Sequence, residues 1–289
     1  MKPFLGIDLT TNKKNEQMNG EEFLVAKPSL ELTQSFERSS ENVKETLEKS
    51  KLPRPIRIGQ WICGMLGILI ATGIIKALGG EDSVSLSQAY QNAYWLFWLG
   101  GACLVAWILL KLISVRKEKN VLESDEGSQI INNLDKSCDA ILFDLGVPSA
   151  SKEIDILTFF YKVKGDDIKV CEKGLQIAPY INPIFHIFSD SENLYLANLE
   201  GKYAVPLSAI KAIKSIKKAI RIMEWNKDEG YNEGIYRQYK LSEDNYGCII
   251  CNNYHILEFE HNNDLWGIYI PCYELPVIEE ITGLKAEVF

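Results

Sequence analysis

Several side chains in this sequence have the types and spacings that chemistry uses. Cys248 and Cys251, in "YGCIICNNYH", spell C-x-x-C, the spacing of zinc and redox sites. Their stretch reads as a strand, where residues three apart point to opposite faces, so the two sulfurs diverge. No second C-x-x-C completes a tetrahedral set, and the pair is expected to act as small buried hydrophobes. His255 and His261 stand roughly 20 Å apart on one strand at ~3.3 Å per residue, too far to share a metal or a proton relay. His186 is isolated in "IFHIF". Glu258 and Glu260 could mimic a catalytic carboxylate pair, but outward acids alternating with inward Leu257 and Phe259 are the ordinary pattern of a half-buried strand. Neither a glycine-rich phosphate loop nor a nucleophile elbow occurs. The expectation is no catalytic residue, no metal and no cofactor.

The stretch "YAVPLSAIKAIKSIKKAIRIMEW" (203–225) crowds Lys211, Lys214, Lys217, Lys218 and Arg221 among isoleucines. As a strand, Ile210, Ala212, Ile216, Ile220 and Ile222 share one parity and Lys211, Ser215, Lys217 and Arg221 the other. Lys214 and Lys218 break that alternation, which predicts a bulge or a sheet edge. A helix would also separate bases from isoleucines in part; the branched residues and the preceding hairpin favour strand. With 39 acidic against 31 basic residues and a net charge of −8, the chain has no field to attract a nucleic acid. Beside an anionic inner leaflet, each well-placed base could gain about 1 kcal/mol. The expected ligands of the strip are therefore lipid headgroups or a protein segment, with a plain solvated face as the alternative.

What would hold such a strip near a membrane is plain in the sequence. Residues 56–80 ("IRIGQWICGMLGILIATGIIKALGG") and 93–115 ("AYWLFWLGGACLVAWILLKLISV") each carry enough apolar length, at ~1.5 Å per residue, to cross a ~30 Å hydrocarbon core. Trp61, Tyr94, Trp95 and Trp98 lie near their ends, where amphipathic rings prefer the headgroup layer. Cys63, Gly67 and Ala71 form a small-residue ridge, with Ala102 and Ala106 available opposite, so the spans are expected to pack as a hairpin. Lys49, Lys51, Arg54 and Arg57 precede the first span, Arg116, Lys117 and Lys119 follow the second, and the intervening loop, 81–92, has acids and no base. Both termini are thus expected in the cytoplasm of a multi-pass cell-membrane protein, with the first span an uncleaved anchor. The unpatterned cysteines fit a reducing compartment.

Around the hairpin, residues 1–28 are polar and read as a disordered tail. In 29–54, Leu32, Phe36, Val43 and Leu47 recur at helical intervals until "LPRP", where proline ends an amphipathic juxtamembrane helix. In 116–148, Ile130, Leu134, Ile141, Leu142 and Leu145 mark a linker helix that stops near Gly146 and Pro148. From 150 to 289 the period becomes two, and Gly165-Asp166-Asp167, Glu200-Gly201, Asn252-Asn253 and His261-Asn262-Asn263-Asp264 supply hairpin turns. Leu275, Ile278, Ile281 and Leu284, with Pro276 in the first turn and Gly283 at the end, predict a short closing helix. The fold class is a transmembrane helical hairpin joined to a mainly-β antiparallel sandwich or half-barrel with a C-terminal capping helix.

The segments "NLYLANLEGKYAVPLSAIKAI" (193–213) and "NNYHILEFEHNNDLWGIYIPCYELPVIEEITGL" (252–284) resemble bacterial membrane-anchored pleckstrin-homology-like domains of the YcxB-like group. Val205-Pro206-Leu207 and Ile270-Pro271-Cys272-Tyr273 stand where that family has an apolar-proline step and a proline turn before its last helix. The resemblance covers about residues 154–285 and implies a binding or scaffolding module rather than an enzyme. The alternative is an accessory subunit of a membrane complex, held through its helical hairpin.

Overall fold

The computed structural model describes residues 1–8, 17–18, 20–79, 85–164, 167–171, 184–222, 225 and 227–287. The Gly165-Asp166 turn and residues 81–84 of the expected loop lie outside them. Contacts divide the chain into two compact units, Thr33–Cys138 and the combination of Met1–Leu32 with Asp139–Phe289.

The first unit is helical. Helix α1 (Leu30–Ser50) half-buries Leu32, Phe36, Val43 and Leu47 and ends before "LPRP", as its pattern requires. Helices α2 (Arg54–Gly79) and α3 (Leu86–Leu122) carry the two apolar stretches. Residues 54–76 and 93–122 each contain a strongly apolar 18-residue window, with hydropathies of 1.9 and 2.1, of which only 11% and 6% is buried. Apolar side chains turned outward in this way are what a bilayer accepts and water does not. Residues 86–92, expected as loop, are helical up to a break at Ala93 (φ −144°, ψ 35°). Residues 116–122 continue α3 rather than opening the linker helix; α4 (Asp125–Asp144) starts afresh where Ser124 Oγ accepts the Gly127 N–H at 3.0 Å.

The hairpin ridge is built partly as expected. Gly67 meets α3 so closely that an added Cβ would stand 2.7 Å from Leu104 Cδ2, and Gly64 and Gly100 approach Trp107 and Ile70 in the same way. Cys63, Ala71 and Ala106 are half-buried, but Ala102 points away from α2, on the exposed side of α3. Gly67 therefore faces Leu104 rather than Ala102 or Ala106, and the small residue of α3 in close contact is Gly100, against Ile70.

In the second unit the strands are β1 (Lys2–Pro3), β2 (Gly6–Asp8), β3 (Gln17–Met18), β4 (Leu24–Ala26), β5 (Lys152–Asp155), β6 (Phe159–Lys164), β7 (Asp167–Cys171), β8 (Ile184–Ser189) and β9 (Asn193–Asn198). They continue as β10 (Gly201–Pro206), β11 (Ile210–Ile216), β12 (Ile220–Ile222), β13 (Ser242–Glu243), β14 (Ile249–Cys251), β15 (Tyr254–His261), β16 (Asp264–Pro271) and β17 (Ala286–Glu287). Two five-stranded sheets, ordered β4-β10-β9-β8-β5 and β1-β16-β15-β11-β17, enclose one core. Phe185, Ile187, Leu194, Leu196 and Val205 from the first sheet face Ile213, Leu257, Phe259, Ile268 and Ile270 from the second. Helix α5 (Leu275–Thr282) closes the sandwich with Ile278 and is capped by Gly283 at φ 70°. Asn262 and Asn263 both take positive φ, the tight-turn geometry that joins β15 to β16.

Two expectations fail here. The described parts of the N-terminal segment are no tail, because β1 pairs with β16 and β4 with β10, and Phe4 and Phe23 are buried in the core; residues 9–16 and 19 of that segment lie outside the described residues. Asn252-Asn253 makes no hairpin either; it carries the chain from β14, in a small β12-β14-β13 sheet, to β15 in the large one.

Candidate functional site

Between 203 and 222 the chain forms strands β10, β11 and β12 with a 3-10 turn at Leu207–Ala209 rather than an α-helix, and the pairing of β11 is irregular between Ile210 and Ala212, ahead of the Lys214 position that suggested a bulge. The bulge reverses the parity. Ile213 becomes the core residue, while Ala212, Lys214 and Ile216 turn to the opposite face of the sheet. The five bases consequently form no single free strip. Lys211 Nζ sits 2.9 Å from Glu260, Lys214 Nζ sits 2.7 Å from Glu258, and Arg221 is bonded to Asp244 on the small sheet. Lys217 and Lys218 are exposed at the turn between β11 and β12. Glu258, expected on a wet face, is only 6% exposed.

The cause of that burial is the chain between β11 and β15. Ile220, Ile222, Leu241, Ile249 and Cys251 pack from this insertion onto Tyr254, Ile256 and Tyr269, the outer face of the large sheet. Strands β15 and β16 therefore have two dry faces, which is why their burial shows no alternation.

At the rim of this second core lies a charged cluster that no local motif announces. Asp155 ends β5, and Tyr273 and Glu274 lie in the one-turn 3-10 helix Cys272–Glu274 that links β16 to α5. The Tyr273 hydroxyl donates to Asp155 Oδ2 at 2.7 Å, and the Asp155 N–H donates to Glu274 Oε1 at 3.0 Å. Lys227, from the insertion, places Nζ 2.7 Å from Glu274 Oε1, 3.4 Å from Asp155 Oδ2 and 5.7 Å from the Tyr273 ring centroid. Trp225, Tyr236 and Tyr239 complete an aromatic wall, with Trp225 4.9 Å from Tyr236 and 5.2 Å from Tyr273 in edge-on geometry. Both carboxylates are nearly sealed from solvent, and Asp155 Oδ1 is buried without a hydrogen-bond partner.

Burial pushes the Glu274 carboxyl above its usual range against the pull of Lys227. Burial works to lower the Lys227 ammonium, but Glu274 and Asp155 outweigh it and hold the amine above its ordinary value. Burial, with Asp155 beside it, keeps the Tyr273 phenol well above the normal range, so it donates at neutral pH. Chemically the arrangement is a cage for one ammonium: two carboxylates and a spare acceptor at its base, ring faces and edges around it.

The cysteines and histidines fall elsewhere. Cys251 hydrogen-bonds to Cys272, not to Cys248; that bond and burial raise the Cys251 thiol and the bond holds Cys272 below its ordinary value. Among the described residues, no three His, Cys, Asp or Glu side chains group in a way that could hold a metal ion. His255 is buried against Ser215 at 3.0 Å, and His261 lies 3.5 Å from Glu22. His186 has Ser151 Oγ 3.2 Å from Nδ1 and Glu153 3.7 Å from Nε2, beside a groove of about 630 Å³ that the exposed Phe143 lines. The types mimic a nucleophile triad, but an exposed carboxylate beyond hydrogen-bond range does not orient the ring, and the Ser151 N–H is taken by Pro148 O. No family model, no curated protein and no solved structure matches the chain, so its site rests on its own geometry.

Proposed function

We propose that this protein is a membrane-anchored, non-enzymatic binding module. Helices α2 and α3 cross the cell membrane as a hairpin with both termini in the cytoplasm, and the β-rich unit captures a protein segment beside the inner leaflet. The observation that carries the reading is the union, in one chain, of two helices with outward apolar side chains and a two-sheet β unit bearing a caged ammonium. Basic residues flanking the spans support the orientation. Four antiparallel strands adjacent in one sheet (β5, β8, β9, β10), three in the other (β11, β15, β16) and a closing helix support the pleckstrin-homology-like assignment. A protein partner is favoured over a lipid headgroup because Lys211, Lys214 and Arg221 are already neutralised by acids of the same unit.

A photoreactive phenylalanine analogue at Tyr246, which is 84% exposed beside Arg221, tests this in intact membranes with the full chain. Protein adducts are the expected result. Adducts with lipid alone would make the strip a headgroup site, and a reporter after Phe289 active only outside the cell would overturn the orientation.

An accessory-subunit role has one specific support. The outer side of α3 carries a shallow groove of about 490 Å³ lined by Tyr90, Phe97, Trp98, Gly101, Ala102 and Val105, where small residues admit another membrane helix.

A further inference from the structure

The two halves of the ammonium cage have different mechanical standing. Asp155, Tyr273 and Glu274 belong to β5 and the β16–α5 junction, elements locked into the main sandwich and tied to one another by the 2.7 Å and 3.0 Å hydrogen bonds. Those two bonds join elements of the sandwich to one another, although the Tyr273 ring also packs on Trp225, Tyr236 and Tyr239 of the insertion. Lys227 begins the described run 227–233, bends and turns that lead into the 3-10 turn Gly234–Tyr239 and have no strand partner among the described residues. Lys227 Nζ stands 3.4 Å from Asp155 Oδ2 and leaves Asp155 Oδ1 a buried acceptor without a donor, so the base has unmet acceptor capacity for an ammonium seated closer to Asp155 than this tethered one.

We propose that Lys227 is an internal stand-in for a lysine side chain of a partner protein, held in the cage until that lysine displaces it. The inference rests on the binding-module reading and names the group that the module takes. The 2.7 Å contact to Glu274 requires N–H donors, which a quaternary ammonium lacks. The aromatic walls accept an aliphatic stem such as lysine's. Asp228, Glu229 and Glu233 on the same loop are exposed, so an aminoethyl phosphate headgroup would bring its phosphate against acids, whereas a basic peptide gains from them.

Two measurements on the full chain in detergent micelles test it. Lys227→Ala vacates the cage and is expected to lower the melting temperature of the β-rich unit by about 10 °C. n-Butylammonium should restore it saturably, and tetramethylammonium and n-butanol should not. In the unsubstituted protein, Lys227 should resist amine acetylation, and acetyl-Gly-Lys-Gly-amide should raise its labelling several-fold while the glutamine analogue leaves it unchanged. Rescue by all three solutes alike, or none, overturns the ammonium cage; labelling that ignores the lysine peptide, even where rescue succeeds, overturns displacement. Labelling raised equally by vesicles of phosphatidylethanolamine would transfer the site to lipid and overturn the protein-lysine assignment. None of these readouts needs the physiological partner, so their failure leaves the membrane-anchored binding role to the Tyr246 cross-linking test.

Discussion

Phe23 decides whether the N-terminal residues are a tail or part of the β unit. It is 3% exposed, with ring centroids 5.1 Å from Trp266, 5.2 Å from Phe259, 6.0 Å from Phe4 and 4.7 Å from His261. Phe23→Ala removes a buried ring and leaves a cavity between the sheets, a change that costs about 3–5 kcal/mol. Three of the contacts are edge-on, each adding about 0.5–1.5 kcal/mol beyond burial, which places the expected loss toward the upper end of that range. With a urea dependence of ~2 kcal/mol per molar, a loss of ~5 kcal/mol moves the unfolding midpoint down by ~2.5 M. Pulse proteolysis of the full chain across a urea gradient, scored on fragments from β15 and β16, reads that midpoint directly. Val25→Ala, two residues away and 55% exposed, should leave it in place. A shift below ~0.5 M for Phe23→Ala would refute the N-terminal stitching of the two sheets.

Gly67→Ile should force α2 from α3, because its Cβ alone would meet Leu104 at 2.7 Å; a loss of about 1–3 kcal/mol is expected in the thermal melt of the helical signal, with Gly67→Ala milder. Lys214→Met strands the 6%-exposed Glu258 and should cost about 3 kcal/mol, while Lys214→Met with Glu258→Gln should recover most of it in the same urea assay. Burial holds His255 below its ordinary value of 6.5, so its contribution is present above that pH and is lost as pH falls through it toward the depressed folded value; His255→Gln should flatten the fall in urea midpoint between neutral and mildly acid buffer.

Legibility followed the range of the interactions. The spans, α1, the linker helix, α5 and the β15–β16 turn were written in local pattern, because capping, proline and periodicity act within a few residues. The N-terminal strands were not, since apart from each other Phe4 and Phe23 find their ring partners, Tyr203, Phe259 and Trp266, at the far end of the chain and carry no alternation of their own. Two-faced burial of β15 was hidden for a related reason. Alternation of Glu258 with Leu257 and Phe259 reads as one wet face until a distant insertion covers it and Lys214 supplies the counter-charge. The cage was invisible because Asp155, Lys227, Tyr273 and Glu274 converge from three separate stretches; the one sequence signal was an aromatic-rich, acidic segment, "MEWNKDEGYNEGIYRQY", too polar to be a strand and too rich in rings to be a plain loop.

In the binding role proposed above, the distribution of charge would set the selectivity of the β unit. An acidic chain with a conspicuous basic stretch suggests a polyanion site, yet Glu258, Glu260 and Asp244 each hold one of those bases within its own unit. Charges paired at 2.7–2.9 Å have little field left at the distance of a lipid headgroup. The carboxylates at the cage differ. Asp155 and Glu274 share a single ammonium, so with all three groups charged the cluster keeps an uncompensated negative charge at a nearly dry site, where electrostatic attraction is strongest. On the proposed reading, a partner would need a cation narrow enough to enter between the rings, and that requirement would separate a lysine-bearing segment from an anionic lipid surface.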